Sequence, residues 1–233
     1  MNSIESKRTL ILCPGRGSYR PEHLGSLVVR TPFVDLADQA RALSGLETIT
    51  ALDSREKFQA RAHLAGENAS LLTAAISIRD AELLSDKLNI VGICGNSMGW
   101  YTALILAKAV SAEDGIRLIE TMASYQKNNV IGGQILLPTV DENWLQSIEY
   151  SERISTLLSE VPDLHVSIRL GGQMVLGGSK DALKTVKSSV AAFNVGSTTY
   201  PLELPLHSAF HTPLMQHTSE SAQADLATME FSS

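Results

Sequence analysis

The chain has 233 residues, 44% of them hydrophobic and 19% charged, with a mean hydropathy of +0.04; such a composition excludes a disordered chain and is long enough for one large core or two smaller ones. A formal charge of −6 offers no general basic surface to nucleic acid or an anionic membrane, so neither is expected as the principal partner. No apolar run is long enough to span a membrane, and Leu10-Ile11-Leu12-Cys13 after Lys7-Arg8 is too short for the core of a signal peptide, so a cytoplasmic chain is expected.

Residues 9–13 read as a first strand that runs into Pro14-Gly15-Arg16-Gly17-Ser18. This loop lacks the G-K-[ST] ending of a P-loop and the third glycine of a dinucleotide fingerprint, so it is not read as a phosphate cradle. Thr31-Pro32 opens a helix, with Thr31 as N-cap and Gly45 as its stop. Residues 68–88 form a longer helix that is expected to bury Leu71, Leu72, Ala75, Ile76 and Leu83. Residues 90–94 are an apolar strand, 100–108 a helix, and Ser111 caps a further helix through Ile116, Ile119 and Met122 toward Gln126. Cys13 and Cys94 close two strands without C-x-x-C or histidine spacing, and read as buried small hydrophobes rather than a disulfide or metal site. Alternating strand and helix predicts a mostly parallel sheet.

The middle of the chain changes character. Residues 134–137 read as a strand, 141–158 as helical, 164–170 and 174–176 as strands joined through Gly171-Gly172, then a Ser179-capped helix through Ala191 and a last strand at 198–202. The order β-α-β-β-α-β is the ferredoxin-like pattern. The expected organisation is therefore a large α/β domain, residues 1–131 and 204–233, interrupted by a small one, residues 132–203.

Two further stretches carry chemistry. Gly95-Asn96-Ser97-Met98-Gly99 lies between an apolar strand and a helix, the setting of a nucleophile elbow, where glycines let strand and helix approach and the serine stands at a helix N-terminus. Alone, a G-x-S-x-G box reads equally as small residues permitting close packing. Farther on, Ala209-Phe210-His211-Thr212-Pro213-Leu214-Met215 supplies an imidazole that could serve as the serine's base.

Taken together, the three stretches, the pattern inserted between the second and third, and the segment Gly171-Gly172-Gln173-Met174-Val175-Leu176-Gly177-Gly178 resemble the malonyl-CoA:acyl carrier protein transacylase family, which includes the acyltransferase domains of polyketide synthases. The similarity runs from Thr9 to the end of the chain. It implies an α/β fold, a mostly parallel sheet with helices on both faces in an α/β-hydrolase-like core, with an inserted ferredoxin-like subdomain. It also implies an enzyme with no bound cofactor, which takes acyl-CoA as substrate and an acyl carrier protein as partner. By the same resemblance Ser97 is the nucleophile, His211 its base, and the backbone N–H groups of Arg16 and Met98 the oxyanion hole.

The departures from the family pattern bear on substrate. Met122 falls where the family carries an arginine that clamps the malonyl carboxylate, and a thioether cannot pair with a carboxylate. Asn96 stands for a histidine, Trp100 for a glutamate, Asn68 for a glutamine, Arg169 for an asparagine; Asn68, Asn96, Met122 and Arg169 are thus the expected substrate-binding positions. Either the acyl group is uncharged, or Arg16 or Arg169 has taken over the clamp. Lys180, Lys184 and Lys187 share one helix face that could meet an acidic carrier protein. Relatives continue past the end of this sequence, and an uncovered core would favour association with another chain. A thioester hydrolase on the same scaffold and a carrier-binding module with weak catalysis are the competing readings.

Overall fold

The computed structural model describes residues 7–128 and 130–232. The described residues divide into two units, one running up to Lys127 and resuming at Asp225, the other Asn128–Ala224. Residues 204–224, which the sequence reading gave to the large domain, group with the second unit.

In the first unit β1 (Arg8–Cys13) leads through helices α1 (Pro32–Leu43), α2 (Ile49–Asp53), α3 (Ala60–His63) and α4 (Gly66–Leu84) to β2 (Asn89–Gly95), then α5 (Gly99–Leu106) and α6 (Ala112–Asn128). β1 and β2 pair in parallel, with one register shift between Thr9 and Leu10. Pro32 takes the first position of α1, where its missing N–H costs nothing, and Gly45 follows the helix with φ +69°. Thr31 is the N-cap residue, but its hydroxyl makes no capping bond and is buried without a partner. α4 is apolar enough to be buried on nearly every side from Asn68 to Ile76, and with Phe33, Val34, Leu52 and Ile119 it forms the core. Leu83, expected inside, is 50% exposed, because the last turn of α4 runs past that core. No helix among the described residues is long and apolar enough to cross a membrane.

The second unit has the order β3 (Gly133–Pro138), α7 (Ile148–Glu160), β4 (Leu164–Leu170), β5 (Gln173–Gly178) and α8 (Lys180–Ser189). A hairpin, β6 (Phe193–Val195) with β7 (Thr198–Tyr200), follows, then β8 (Leu202–Leu204) and α9 (Gln216–Asp225). The four-stranded sheet runs β4-β5-β3-β8 with every pair antiparallel. Ile135, Leu137 and Leu176 pack against Ile154 and Leu157 of α7 and Leu183 and Val186 of α8. Ser179 caps α8 through a 3.2 Å bond from the Ala182 N–H.

Two expectations need correction. A mostly parallel sheet is not seen: β1–β2 is the parallel pair among the described residues, because the alternating strand–helix stretch supplies two strands and those after it are joined by tight turns or return antiparallel. The expected strand at 198–202 is split. Residues 198–200 pair with the β6 hairpin partner and 202–204 join the sheet, with Pro201, which has no N–H to give a ladder, between them.

The loop after β1 is anchored by Tyr19, which is 2% exposed and donates its hydroxyl to Asp53 Oδ1 at 2.8 Å, while Asp53 Oδ2 accepts the Leu27 N–H at 2.7 Å. Burial and this carboxylate raise the Tyr19 pKa, so the phenol stays a donor. Asp53→Ala leaves both donors buried and unpaired, and is expected to cost roughly 2–4 kcal/mol in urea denaturation.

Candidate active site

Ser97 sits between the end of β2 and the start of α5 with φ +52°, a left-handed conformation that a residue with a side chain adopts only when its surroundings impose it. Those surroundings are steric. A Cβ on Gly99 would stand 2.2 Å from the Cys13 carbonyl oxygen, and one on Gly95 2.2 Å from the Gly99 carbonyl carbon. Backbone bonds close the turn, from Asn96 N–H to the Cys13 carbonyl at 3.1 Å and from Gly99 N–H to the Asn96 carbonyl at 2.8 Å. A Cβ on Gly15 would lie 3.1 Å from the Asn96 carbonyl oxygen and 3.8 Å from Ser97 Cβ. The first two sequence motifs are therefore in van der Waals contact, with Arg16 beside the serine turn. Arg16 is half-buried; desolvation pulls its pKa down to about 10, and its guanidinium reaches the Leu64 carbonyl at 3.4 Å. Met98 is buried. Among the described residues no cluster of His, Cys, Asp and Glu could hold a metal ion.

In the second unit His211 has φ +58°. Its loop is pinned to the chain before β3 by the Ala209 N–H on the Ile131 carbonyl at 2.7 Å, and Thr212 donates back to the Ala209 carbonyl at 2.6 Å. Gly177 leaves room for Thr212, whose methyl group would lie 2.8 Å from a Cβ there. The His211 side chain is solvent-accessible, yet loss of part of its hydration to the surrounding protein holds its pKa below the usual 6.5. A neutral imidazole can accept a proton.

No family model matches the chain. The malonyl CoA-acyl carrier protein transacylase of Salmonella typhimurium is 24% identical over 226 residues, covering 94% of this chain and 69% of that protein. The Escherichia coli K12 protein of the same name is 23% identical over 224 residues, with the same coverage. The malonyl-CoA:ACP transacylase of Synechocystis superposes with a TM-score of 0.77 at 19% identity, covering 97% of this chain and 71% of that one. Over nearly its whole length the chain is similar to malonyl-CoA:acyl carrier protein transacylases. A malonyl-transacylase solved in complex with its type II polyketide acyl-carrier protein superposes with a TM-score of 0.74 at 20% identity, covering 97% and 72%.

Against that transacylase family, the substituted positions fall into distinct environments. Asn68 is buried with its amide occupied: Oδ1 accepts Arg41 at 2.5 Å and Nδ2 donates to the Ala62 carbonyl at 3.0 Å. Arg41, 1% exposed, also bonds the Glu47 and Glu67 carbonyls and Glu120 Oε1 at 2.7 Å. Desolvation raises the Glu120 pKa, and Arg41 opposes it. The sequence reading missed this network. Its trace was there: Phe33, Val34, Ala37 and Arg41 share the buried face of α1, and a charge on an apolar helix face demands a partner. Asn68, read as substrate-binding, is thus tied into the scaffold. Met122 is half-buried on α6, two residues after Glu120, and Asn96 is half-buried in the serine turn.

Arg169 goes elsewhere. A bulge between Val166 and Ile168 shifts the register of β4, so Arg169 pairs with Met174 on the helix-covered face and lines a cavity of about 400 Å³ with Ser151 and Ser155 of α7. Ser167, in the bulge, bonds the Phe210 carbonyl at 2.8 Å and so faces the His211 loop. The expectation that Arg169 serves the same site as His211 needs correction: the extra residue turns it to the other side of the sheet. Lys180, Lys184 and Lys187 are exposed on α8, but Lys187 is engaged at 2.6 Å with Glu203.

The steric argument for the serine turn is testable. Gly99→Ala is expected to destabilise the protein by about 3 kcal/mol, the upper end of the usual overpacking range, because its Cβ meets backbone rather than a movable side chain. Gly171→Ala, where a Cβ meets nothing within 4 Å, should stay within about 0.5 kcal/mol in the same urea titration.

Proposed function

We propose that this chain is an acyltransferase that moves an acyl group from coenzyme A, through an ester on Ser97, to the phosphopantetheine thiol of an acyl carrier protein. The observation that carries the reading is Ser97 held at positive φ on a strand–turn–helix with the Gly15-Arg16 loop packed against it. In the proposed sequence Ser97 Oγ attacks the thioester carbonyl as His211 takes its proton. The oxyanion rests on the backbone N–H groups of Arg16 and Met98, and the coenzyme thiolate leaves with the proton returned by the imidazolium. The carrier thiol then attacks the seryl ester, gives its proton to His211, and Ser97 recovers one as it leaves. The pairing of Ser97 with His211 is taken from the family pattern. The same resemblance supports reading the first unit as an α/β-hydrolase-like core and the second, with its β-α-β-β-α-β order, as a ferredoxin-like insertion in a cytoplasmic enzyme without bound cofactor.

The acyl group is proposed to be neutral. Met122 offers no hydrogen bond to a carboxylate, and losing a bidentate arginine forfeits charge-assisted bonds of roughly 1.5–3 kcal/mol each. A flexible thioether instead adapts to an acetyl group or a longer uncharged chain. Intact-mass analysis after exposure to acetyl-, octanoyl- and malonyl-CoA tests this. A seryl adduct is expected with the neutral donors, absent in Ser97→Ala, with malonyl adduct increased in Met122→Arg. A malonyl preference that collapses in Arg16→Ala would show a relocated clamp instead, and loss of the adduct to water without carrier would show a hydrolase.

The depressed pKa of His211 fixes the sign of the pH dependence. The neutral base persists to lower pH than a solvated histidine would, so the rate of Ser97 acylation is expected to fall on acidification with a midpoint below the usual 6.5 of a histidine. For the carrier, Lys180 and Lys184 are the proposed docking charges, with Lys187 already paired. Reversing both should slow transfer to the carrier at low salt and leave acylation from coenzyme A unchanged.

A further inference from the structure

We infer that Gln134 is a positioning residue for His211, acting through a directed chain of hydrogen bonds; this rests on the reading of His211 as the base. Gln134 lies on β3 and is 2% exposed. Its Oε1 takes the Nδ1–H of His207 at 2.7 Å. Its Nε2 donates to Ser167 Oγ at 2.6 Å and, more weakly, to the Phe210 carbonyl at 3.5 Å. Ser167 passes its own proton to that carbonyl at 2.8 Å. The chemistry of the groups sets each direction. A carboxamide oxygen and a peptide carbonyl can only accept, so the serine proton goes to Phe210 and its lone pair receives the glutamine N–H. The chain begins at His207 and ends at the carbonyl of Phe210, and so staples both ends of the four-residue run before His211 to the sheet.

The last link matters most. The Phe210 carbonyl belongs to the planar peptide group whose nitrogen is that of His211, so fixing the carbonyl direction fixes the plane of the peptide from which the His211 backbone, and the base of its side chain, departs. His211 sits at φ +58°, where it stays only if its neighbours hold it. The bulge in β4 aims Ser167 at this carbonyl, and the register Gln134↔Gly177 leaves no competing side chain opposite the glutamine. An apolar residue at 134 would fill the space equally well. A fully bonded amide there specifies direction, which packing alone does not.

Gln134→Met is nearly isosteric and removes both donor and acceptor. In single-turnover acylation by acetyl-CoA and malonyl-CoA, read by intact mass, the rate at saturation is expected to fall about 10- to 100-fold with the half-saturating concentration unchanged, since a misaimed base slows the chemical step rather than binding. Ser167→Ala should give a similar loss and the double variant little more, because the two act through one carbonyl; it also keeps the test open if Gln134→Met does not fold. The decisive measurement is in a His211→Ala background, where Gln134→Met should cost nothing further. A wild-type rate in both single variants, or an equal loss with and without His211, would overturn the inference. Equal rates in wild type and His211→Ala would instead overturn the reading of His211 as base.

Discussion

At the serine turn backbone meets backbone: the start of α5 lies against the end of β1 with only hydrogens on Gly99 between them. Everything that makes Ser97 a candidate nucleophile follows from that contact. It forces the chain leaving β2 to reverse within the serine turn, imposes the left-handed conformation on Ser97, and brings the loop after β1 alongside it. The parallel pairing of β1 and β2 is the long-range counterpart of the same constraint, because it aligns the two strand ends from which both loops depart.

The sequence was most legible where local physics determines structure. The two glycines of the serine turn, Pro32 at the start of α1 and Ser179 before α8 can each be read from their neighbours, since steric room and capping act over a few residues. Legibility failed where structure depends on distant partners. Leu83 has the spacing of a core residue but lies beyond the core's edge. Residues 198–202 have strand composition, yet their partners differ on either side of Pro201. Arg169 aligns with a site position, but one inserted residue in the strand decides which face it occupies.

The surroundings of Ser97 in the first unit and of His211 in the second are supported in different ways. Around Ser97 the support is mainly exclusion of volume, which tolerates no added atom. Behind His211 it is polar, through Gln134 and Ser167, and around Asn68 it is ionic, through Arg41 and Glu120. Steric support acts without regard to solvent conditions. The ionic support does not: protonation of Glu120, whose pKa burial already raises, would leave Arg41 with one fewer charged partner in a buried setting.

The bulge in β4 changes what kinds of variation can reshape this protein. Side chains along a strand alternate between faces, so one residue gained or lost moves every later position to the opposite side at once. Here that places Ser167 beneath the histidine loop and sends Arg169 into a cavity against α7. A library built from substitutions alone alters what stands at each position and never which side of the sheet that position occupies; the alternative arrangement is reached only by deletion.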